Sequence, residues 1–189
     1  MVSSARRYLG LMALLGLERG AELLLSSRNA RRLLARGARE EGQGLYRAMV
    51  AAHALFLAAG PVEVLVRRRR FPGPLGWLWL AAALGAQGLR WWAIATLGER
   101  WSTRVVVPPG AAPVSSGPYR YLRHPNYLAV VIEALAVPMV HGAWITALAF
   151  SLTNAALLSA RIPLEERALG ASYAAAFSDR PRLLPRVGA

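Results

Sequence analysis

Long apolar stretches separated by arginine-rich segments dominate the pattern of this chain. An α-helix rises 1.5 Å per residue, so about 20 residues cross the hydrocarbon core of a bilayer. Residues 8–25, 46–66 and 75–97 approach or exceed that length and predict three membrane-spanning helices. Tryptophans lie toward both ends of the third stretch, as they do at membrane interfaces.

A fourth apolar stretch, residues 127–160, is too long for one span and short for two. Pro138 and the pair His141-Gly142 interrupt it near its middle. We therefore predict a helical hairpin formed by residues 127–137 and 143–160. Residues 161–189 follow as a polar, amphipathic tail.

The charge pattern indicates the class of protein. The 189 residues are 55% hydrophobic and 17% charged, which excludes an intrinsically disordered chain, and the net charge is +13. Every basic residue is arginine, and cysteine is absent, which excludes disulfides and a thiol nucleophile. The arginines lie between the apolar stretches, which favours a membrane protein over a nucleic-acid binder.

These patterns predict an all-α integral membrane protein with about five transmembrane helices, three spans and the hairpin. We expect one domain, residues 1–189, with the spans and their loops in 1–110 and a ligand-binding loop, the hairpin and the tail in 111–189. The positive-inside rule places residues 26–45, 100–123 and the tail on the cytoplasmic side, with Arg67–Arg70 opposite.

Ionisable residues inside the predicted spans are candidates for function, because burying a charge in a membrane is costly. The sequence places Glu18, Arg19, Glu22, Glu63, Arg90 and Glu133 there. An alternative is that the arginines pair with the glutamates across the bundle and hold the helices together.

The richest polar run is residues 117–127, Gly-Pro-Tyr-Arg-Tyr-Leu-Arg-His-Pro-Asn-Tyr. Pro125 favours a helix start, so His124 lies where free backbone N–H groups can face an anion. The alternative is a basic, aromatic membrane anchor. A second cluster contains Arg161 and Glu165, four residues apart and so on one helix face, where they form either a site or a surface ion pair.

The run at 117–127, a helical hairpin and then Arg-x-x-x-Glu-Glu from Arg161 together resemble the isoprenylcysteine carboxyl methyltransferase family of integral membrane methyltransferases. The resemblance is strongest over residues 115–185, and phospholipid methyltransferases share much of it. Glu22, the run at 27–29 and His53 resemble a bacterial subgroup that includes enzymes methylating hydroxyls of long-chain polyketides such as alkylpyrones.

The resemblance implies S-adenosylmethionine as cofactor and S-adenosylhomocysteine as product. It implies a cofactor pocket formed by the loop before the hairpin and the C-terminal tail. The implied cofactor contacts are Tyr119, His124, Pro125, Asn126, Tyr127 and Glu165, with Pro113 and Val114 through their backbone. The implied substrate contacts are Arg161, Glu22, Arg28 and Asn29.

Methyl transfer to oxygen is the predicted chemistry. A carboxylate nucleophile needs no base, whereas an enol or phenol must lose its proton, and Arg161 supplies a positive field for either. His124 is a candidate base or a hydrogen-bond donor to the cofactor's carboxylate. No metal-ligand spacing appears.

We therefore expect an O-methyltransferase in the bacterial inner membrane, with its cofactor site on the cytoplasmic side. Its partners would be a lipophilic or prenylated substrate and membrane lipids, not nucleic acid. N-methylation of a phospholipid headgroup is one alternative. A small transporter subunit is another, although no inverted repeat is visible in the sequence.

Overall fold

The computed structural model describes residues 2–184, and most of that range is helical. The α-helices are α1 (Val2–Ala35), α2 (Gln43–Val66), α3 (Pro74–Leu97), α4 (Pro125–Met139) and α5 (Trp144–Ala176). Two short strands, β1 (Arg39–Glu41) and β2 (Val105–Val107), and two 3₁₀ turns, Gly98–Arg100 and Gly117–Arg120, complete the described elements.

The predicted hairpin is present as α4, a tight turn and α5. Pro125 occupies the first turn of α4, where its missing N–H is not needed, and Pro138 precedes the helix end at Met139. Gly142 in the turn has a φ of 70°, a left-handed conformation that glycine adopts without strain. The polar tail predicted from residue 161 is helical as far as Ala176, with a break at Gly170, and Arg161 and Glu165 lie on one helix before that break, as their spacing predicts.

The prediction that residues 26–45 form a loop is wrong for most of that segment. Its first ten residues continue α1, because Ser26 and Asn29 are buried and bonded rather than solvated. The Ser26 hydroxyl lies 2.8 Å from the Thr103 hydroxyl, and the Asn29 amide donates to the Trp101 carbonyl at 2.9 Å. β1 then pairs antiparallel with β2, with Arg39 opposite Val107, so the fold is not purely helical.

At the other end of the bundle, Glu63 joins α2 to the start of α5. Its carboxylate accepts from the Thr146 N–H at 2.7 Å, the Thr146 hydroxyl at 2.8 Å and Arg69 at 2.9 Å. The N-cap residue Ala143 offers no side-chain cap, so Glu63 satisfies free N–H groups at that helix start. The hydrogen bonds of Glu63 therefore give this buried carboxylate a structural role.

The outer faces of the bundle are apolar. α2 and α5 are long and apolar enough to cross a membrane, and α4 is a shorter apolar helix. Large exposed apolar side chains occur on all five helices: Leu14, Leu17, Leu55, Val62, Leu78, Leu84, Val131, Leu135, Leu148 and Leu152. Exposed apolar area on this scale marks a lipid or protein contact surface. That α1, α3 and α4 also span the membrane stays a prediction.

Candidate active site

A cavity of about 1080 Å³ lies at the end of the bundle where α1 and α3 are followed by the two paired strands. All five helices contribute to its walls, as does the segment between residues 100 and 114. Most of the sequence-predicted site residues line it: Glu22, Pro113, Val114, Tyr119, His124, Asn126, Tyr127, Arg161 and Glu165. Residues more than 140 positions apart in the chain are therefore brought to one space.

Tyr127, Arg161 and Glu165 form a hydrogen-bonded group on one wall. The Tyr127 hydroxyl donates to Glu165 and accepts from Arg161 Nε at 3.1 Å. Arg161 Nη2 also donates to the Thr103 carbonyl at 2.8 Å, and the residue is only 2% exposed. Its Nη1 has no hydrogen-bond partner among the described residues. The guanidinium is thus fixed in place with one nitrogen free to bind another group.

His124 connects α4 to the C-terminal segment. As the residue before Pro125 it is the N-cap of α4, and its ring stacks on Tyr127 with centroids 5.2 Å apart. Its Nε2 donates to Glu166 Oε1 at 3.2 Å, which leaves Nδ1 as the unprotonated nitrogen of the neutral ring. Burial would raise the pKa of the Glu166 carboxyl, but hydrogen bonds from Arg182 and His124 outweigh it and lower that pKa.

The C-terminal segment closes over this wall. The backbone N–H of His124 donates to the Arg182 carbonyl at 3.1 Å, and the Arg182 side chain binds both oxygens of Glu166. Arg180 reaches the Tyr119 carbonyl at 2.9 Å. Gly170 allows the chain to turn toward this wall, because its φ of 77° and ψ of −166° lie in a region of backbone conformation that is essentially restricted to glycine.

Tyr119 is a further residue of this wall. Burial raises the pKa of the Tyr119 phenol, so it stays protonated at neutral pH.

A cluster of charges forms the inner wall. Arg90 pairs with Glu133 and lies 3.7 Å from Glu22, and all three residues are buried. Arg19 bonds Glu22 at 2.7 Å and reaches Glu133 at 3.5 Å. The alternative that arginines pair with glutamates across the helices is therefore what the structure shows, yet Glu22 Oε1 is a buried oxygen without a hydrogen-bond partner.

The remaining predicted residues lie beside the cavity or away from it. Pro125 is buried in the first turn of α4 and contributes by setting the helix start. Arg28 and Asn29 line a separate, smaller depression near Gly98, and Asn29 is committed to backbone carbonyls. A substrate contact by these two stays a prediction, with no support from their position.

Several cavity residues were missed from sequence. Tyr46 and Arg104 line the cavity in contact with each other, with the guanidinium carbon 5.4 Å from the ring centre. His53, part of the resemblance to the bacterial subgroup but not a predicted site residue, also lines the cavity, from the middle of α2. An isolated histidine within an apolar span gives no spacing signal, so only the fold shows that it belongs to this space. Within residues 2–184, no cluster of three or more His, Cys, Asp or Glu side chains could hold a metal ion.

Comparison with known proteins supports the family inferred from residues 117–127 and Arg161. Residues 78–171 match the model of the isoprenylcysteine carboxyl methyltransferase family. The uncharacterised protein YpbQ of Bacillus subtilis is 38% identical over 162 residues, which cover 84% of this chain and 94% of that protein. An uncharacterised protein of Haemophilus influenzae is 28% identical over 148 residues, 78% of this chain and 86% of that protein. The chain belongs to the isoprenylcysteine carboxyl methyltransferase family, a family of S-adenosylmethionine-dependent membrane methyltransferases.

Proposed function

We propose that this protein transfers a methyl group from S-adenosylmethionine to an oxygen of a lipophilic acceptor held in the membrane. The observation that carries the proposal is the Tyr127–Arg161–Glu165 group on the wall of the cavity. It combines a buried cation that has a free nitrogen with a carboxylate that has a free oxygen. Ligand cavities commonly measure about 300–1,000 Å³, so this one has room for a cofactor and the reacting part of an acceptor.

The residues of this wall fit the cofactor. One oxygen of Glu165 holds the Tyr127 hydroxyl, and the other has no hydrogen-bond partner among the described residues, so it suits ribose hydroxyls. His124 Nδ1 and the Asn126 amide offer further polar contacts, and the segment at Pro113 offers backbone groups. When bound, the cofactor supplies an electrophilic methyl group on a sulfonium sulfur.

Arg161 is the proposed catalytic residue. Its Nη1 is buried and unpartnered, and the bonds from Nε and Nη2 to Tyr127 and Thr103 fix its direction. A preorganised positive charge of this kind stabilises a negatively charged oxygen nucleophile, whether carboxylate or ionised hydroxyl. The apolar part of the acceptor would lie along the wall formed by Leu23 and Leu57.

N-methylation of a phospholipid headgroup is the second candidate, and one observation favours it. The charged cluster contains three carboxylates, Glu18, Glu22 and Glu133, against the guanidiniums of Arg19 and Arg90, and of the three carboxylates only Glu22 lines the cavity. The unpartnered Glu22 Oε1 would suit an amine. Arg161 weighs against it, because its free positive charge would repel an ammonium group.

The proposed location is a multi-pass arrangement in the inner membrane, with the cavity mouth at the cytoplasmic face. The arginine-rich end of α1 and the Arg-rich segment at 120–123 lie at the same end of the bundle as the cavity. Their positive charge favours the cytoplasmic side, where S-adenosylmethionine is made available to enzymes.

Two measurements test the proposal. Calorimetry on the purified protein in detergent should show binding of S-adenosylmethionine and S-adenosylhomocysteine, and folded protein that binds neither would refute a methyltransferase function. Incubation with methyl-labelled cofactor and a membrane lipid extract should then label an oxygen-methylated product. Label found in methylated phosphatidylethanolamine would instead select the second candidate.

A further inference from the structure

The first two helices are close together at one end and apart at the other. Tyr8 of α1 lies against Gly60 of α2, where a Cβ atom would come within 2.7 Å of the tyrosine hydroxyl oxygen, so this approach requires glycine. Met12, one turn further along α1, is buried against the same position. Beyond Met12 both helices line the cavity. The space between α1 and α2 is therefore a wedge, closed at Tyr8 and open toward the candidate active site.

The two sides of this wedge are mainly apolar. The positions that matter on α1 and on α2 recur at intervals of three or four residues, so each set occupies one face of its helix. They are Gly16, Gly20 and Leu23 on α1, and Val50, Ala54 and Leu57 on α2. Arg19 lies on the same side of α1 but is bonded to Glu22 at 2.7 Å. The wedge therefore suits a hydrocarbon chain.

Gly16 and Gly20 widen this wedge. A Cβ atom placed at either position would meet no atom within 4 Å, which contrasts with the close contact at Gly60. Glycine is unfavourable in a helix interior, and no neighbouring segment approaches these two closely enough to require it. Both line the cavity, four residues apart, so together they remove two side chains from one wall.

Buried polar atoms beside the wedge point independently to a ligand. Glu22 is 3% exposed and lines the same cavity, and its Oε1 has no hydrogen-bond partner among the described residues. Gln87, which accepts from Arg19 at 2.8 Å, has a buried Nε2 that is also unpartnered. One atom is an acceptor and the other a donor. Buried polar groups are normally hydrogen-bonded, so this pair indicates a ligand site and not a gap in the packing.

The depth of the wedge follows from the positions of its residues along α1. The Ser26 hydroxyl lies 2.8 Å from the Thr103 hydroxyl, and the Thr103 carbonyl accepts from Arg161, so Ser26 is level with Arg161. Gly16 is ten residues earlier, which is about 15 Å along the helix axis. An extended chain of carbon–carbon bonds advances about 1.25 Å per carbon, so about twelve carbons reach from Arg161 to Gly16. Gly20 is reached after about seven.

We infer that the hydrocarbon chain of the acceptor lies in this wedge and that Gly16 and Gly20 determine the length of chain that it takes. The reacting oxygen lies at Arg161, and the chain runs along α1 toward the buried Met12. This inference rests on the proposed function and adds to it the site of the apolar part of the substrate and two specificity-determining residues. A larger side chain at Gly20 shortens the wedge more than one at Gly16.

The test variants are Gly20→Leu and Gly16→Leu, which have room to fold because neither new side chain starts against another atom. The matched control is Gly10→Leu, because Gly10 lies on the same helix, has equally free space and does not line the cavity. The substrates are alkanoic acids and 4-alkylphenols with butyl and dodecyl chains, in detergent with methyl-labelled S-adenosylmethionine. A dodecanoic acid with a terminal diazirine serves as a photocrosslinking probe, read by mass spectrometry.

We expect kcat/KM for the dodecyl substrate to fall about tenfold or more in Gly20→Leu, because the displaced chain loses its buried contacts. Gly16→Leu should show a smaller fall of about two- to fivefold, since only the end of the chain is displaced. Butyl substrates and cofactor affinity should stay within about twofold. The terminal diazirine should label residues 12–16 or 53–57 in the parent and in Gly10→Leu, and lose this labelling in Gly20→Leu.

Three results would overturn the inference. They are dodecyl kcat/KM in Gly20→Leu within about twofold of the parent, an equal loss in Gly10→Leu, and crosslinks that map elsewhere or persist in Gly20→Leu. Crosslinking needs no methyl transfer, so it decides the matter even if neither substrate series is methylated. A parent protein that binds no cofactor contradicts the proposed function itself, and the crosslinks then still test the wedge.

Discussion

Replacing Glu165 by glutamine isolates the part of the cavity wall assigned to the cofactor. The substitution keeps the size of the side chain and removes its charge. One carboxylate oxygen accepts from the Tyr127 hydroxyl, so the other oxygen is the one available to a ribose hydroxyl. Removing the charge would weaken that hydrogen bond. Hydrogen bonds to charged groups contribute about 1.5–3 kcal/mol. The Glu165 side chain is 27% exposed, which favours the lower part of that range, about 2 kcal/mol.

A loss of about 2 kcal/mol corresponds to a roughly thirtyfold rise in the dissociation constant for S-adenosylmethionine. Calorimetry in detergent measures it directly, and a thermal melt checks that the variant remains folded. Asp179→Asn is the matched control, because Asp179 is 80% exposed and outside the cavity, and it should leave affinity unchanged. A dissociation constant for folded Glu165→Gln within about twofold of the parent would refute the cofactor role and leave Glu165 as a support for Tyr127.

Two other predictions follow from neighbouring contacts. Arg161→Lys should keep cofactor affinity while turnover falls about ten- to a thousandfold. The single nitrogen of lysine cannot reproduce the planar fork that contacts Tyr127 from Nε and Thr103 from Nη2 while it holds Nη1 in a fixed direction. Turnover within about twofold of the parent would refute an acceptor-facing role. The lowered pKa of Glu166 means that its bonds to Arg182 stabilise the fold above the ordinary carboxyl pKa of 4.5 and are lost as the pH falls through the lowered value. The melting temperature of the parent should therefore drop more steeply than that of Glu166→Gln between about pH 5 and pH 3, and parallel curves would contradict the assignment.

The parts of the fold that the sequence predicts are those with a local physical signal. Helix hydrophobicity and the interruption at Pro138 and Gly142 locate the hairpin, because a proline and a left-handed glycine restrict the backbone wherever they occur. The run ending at Tyr127, with Arg161 and Glu165, carries enough specific residue types to identify the family. Tyr127, Arg161 and Glu165 then line one cavity because α5 runs back along α4.

The parts that were missed depend on contacts between distant segments. β1 reads Arg-Glu-Glu, without the alternation typical of a strand, and it exists because β2 lies beside it. Asn29 has the residue type of a loop position, and it is buried in a helix because its side-chain amide donates to the Trp101 carbonyl, which is distant in sequence. His53 has no neighbouring polar residues in the sequence, and its place on the cavity wall follows from the packing of α2 against Phe150 of α5.

The closure of the cavity by the segment after Gly170 has a consequence for how the protein is made. Helices form in the order in which the ribosome releases them, and the bundle from α1 to α4 can be inserted while the C-terminal residues are still being synthesised. The Arg182 carbonyl that accepts from the His124 N–H, and the Tyr173 hydroxyl that donates to the Arg123 carbonyl, are added only after those residues have been translated. A nascent chain that stops before Arg182 therefore lacks part of the wall that the proposed function assigns to the cofactor. Under the proposed function, catalytic competence would be acquired only after residues 170–182 have been synthesised and have packed against α4, once the preceding helices are already in place.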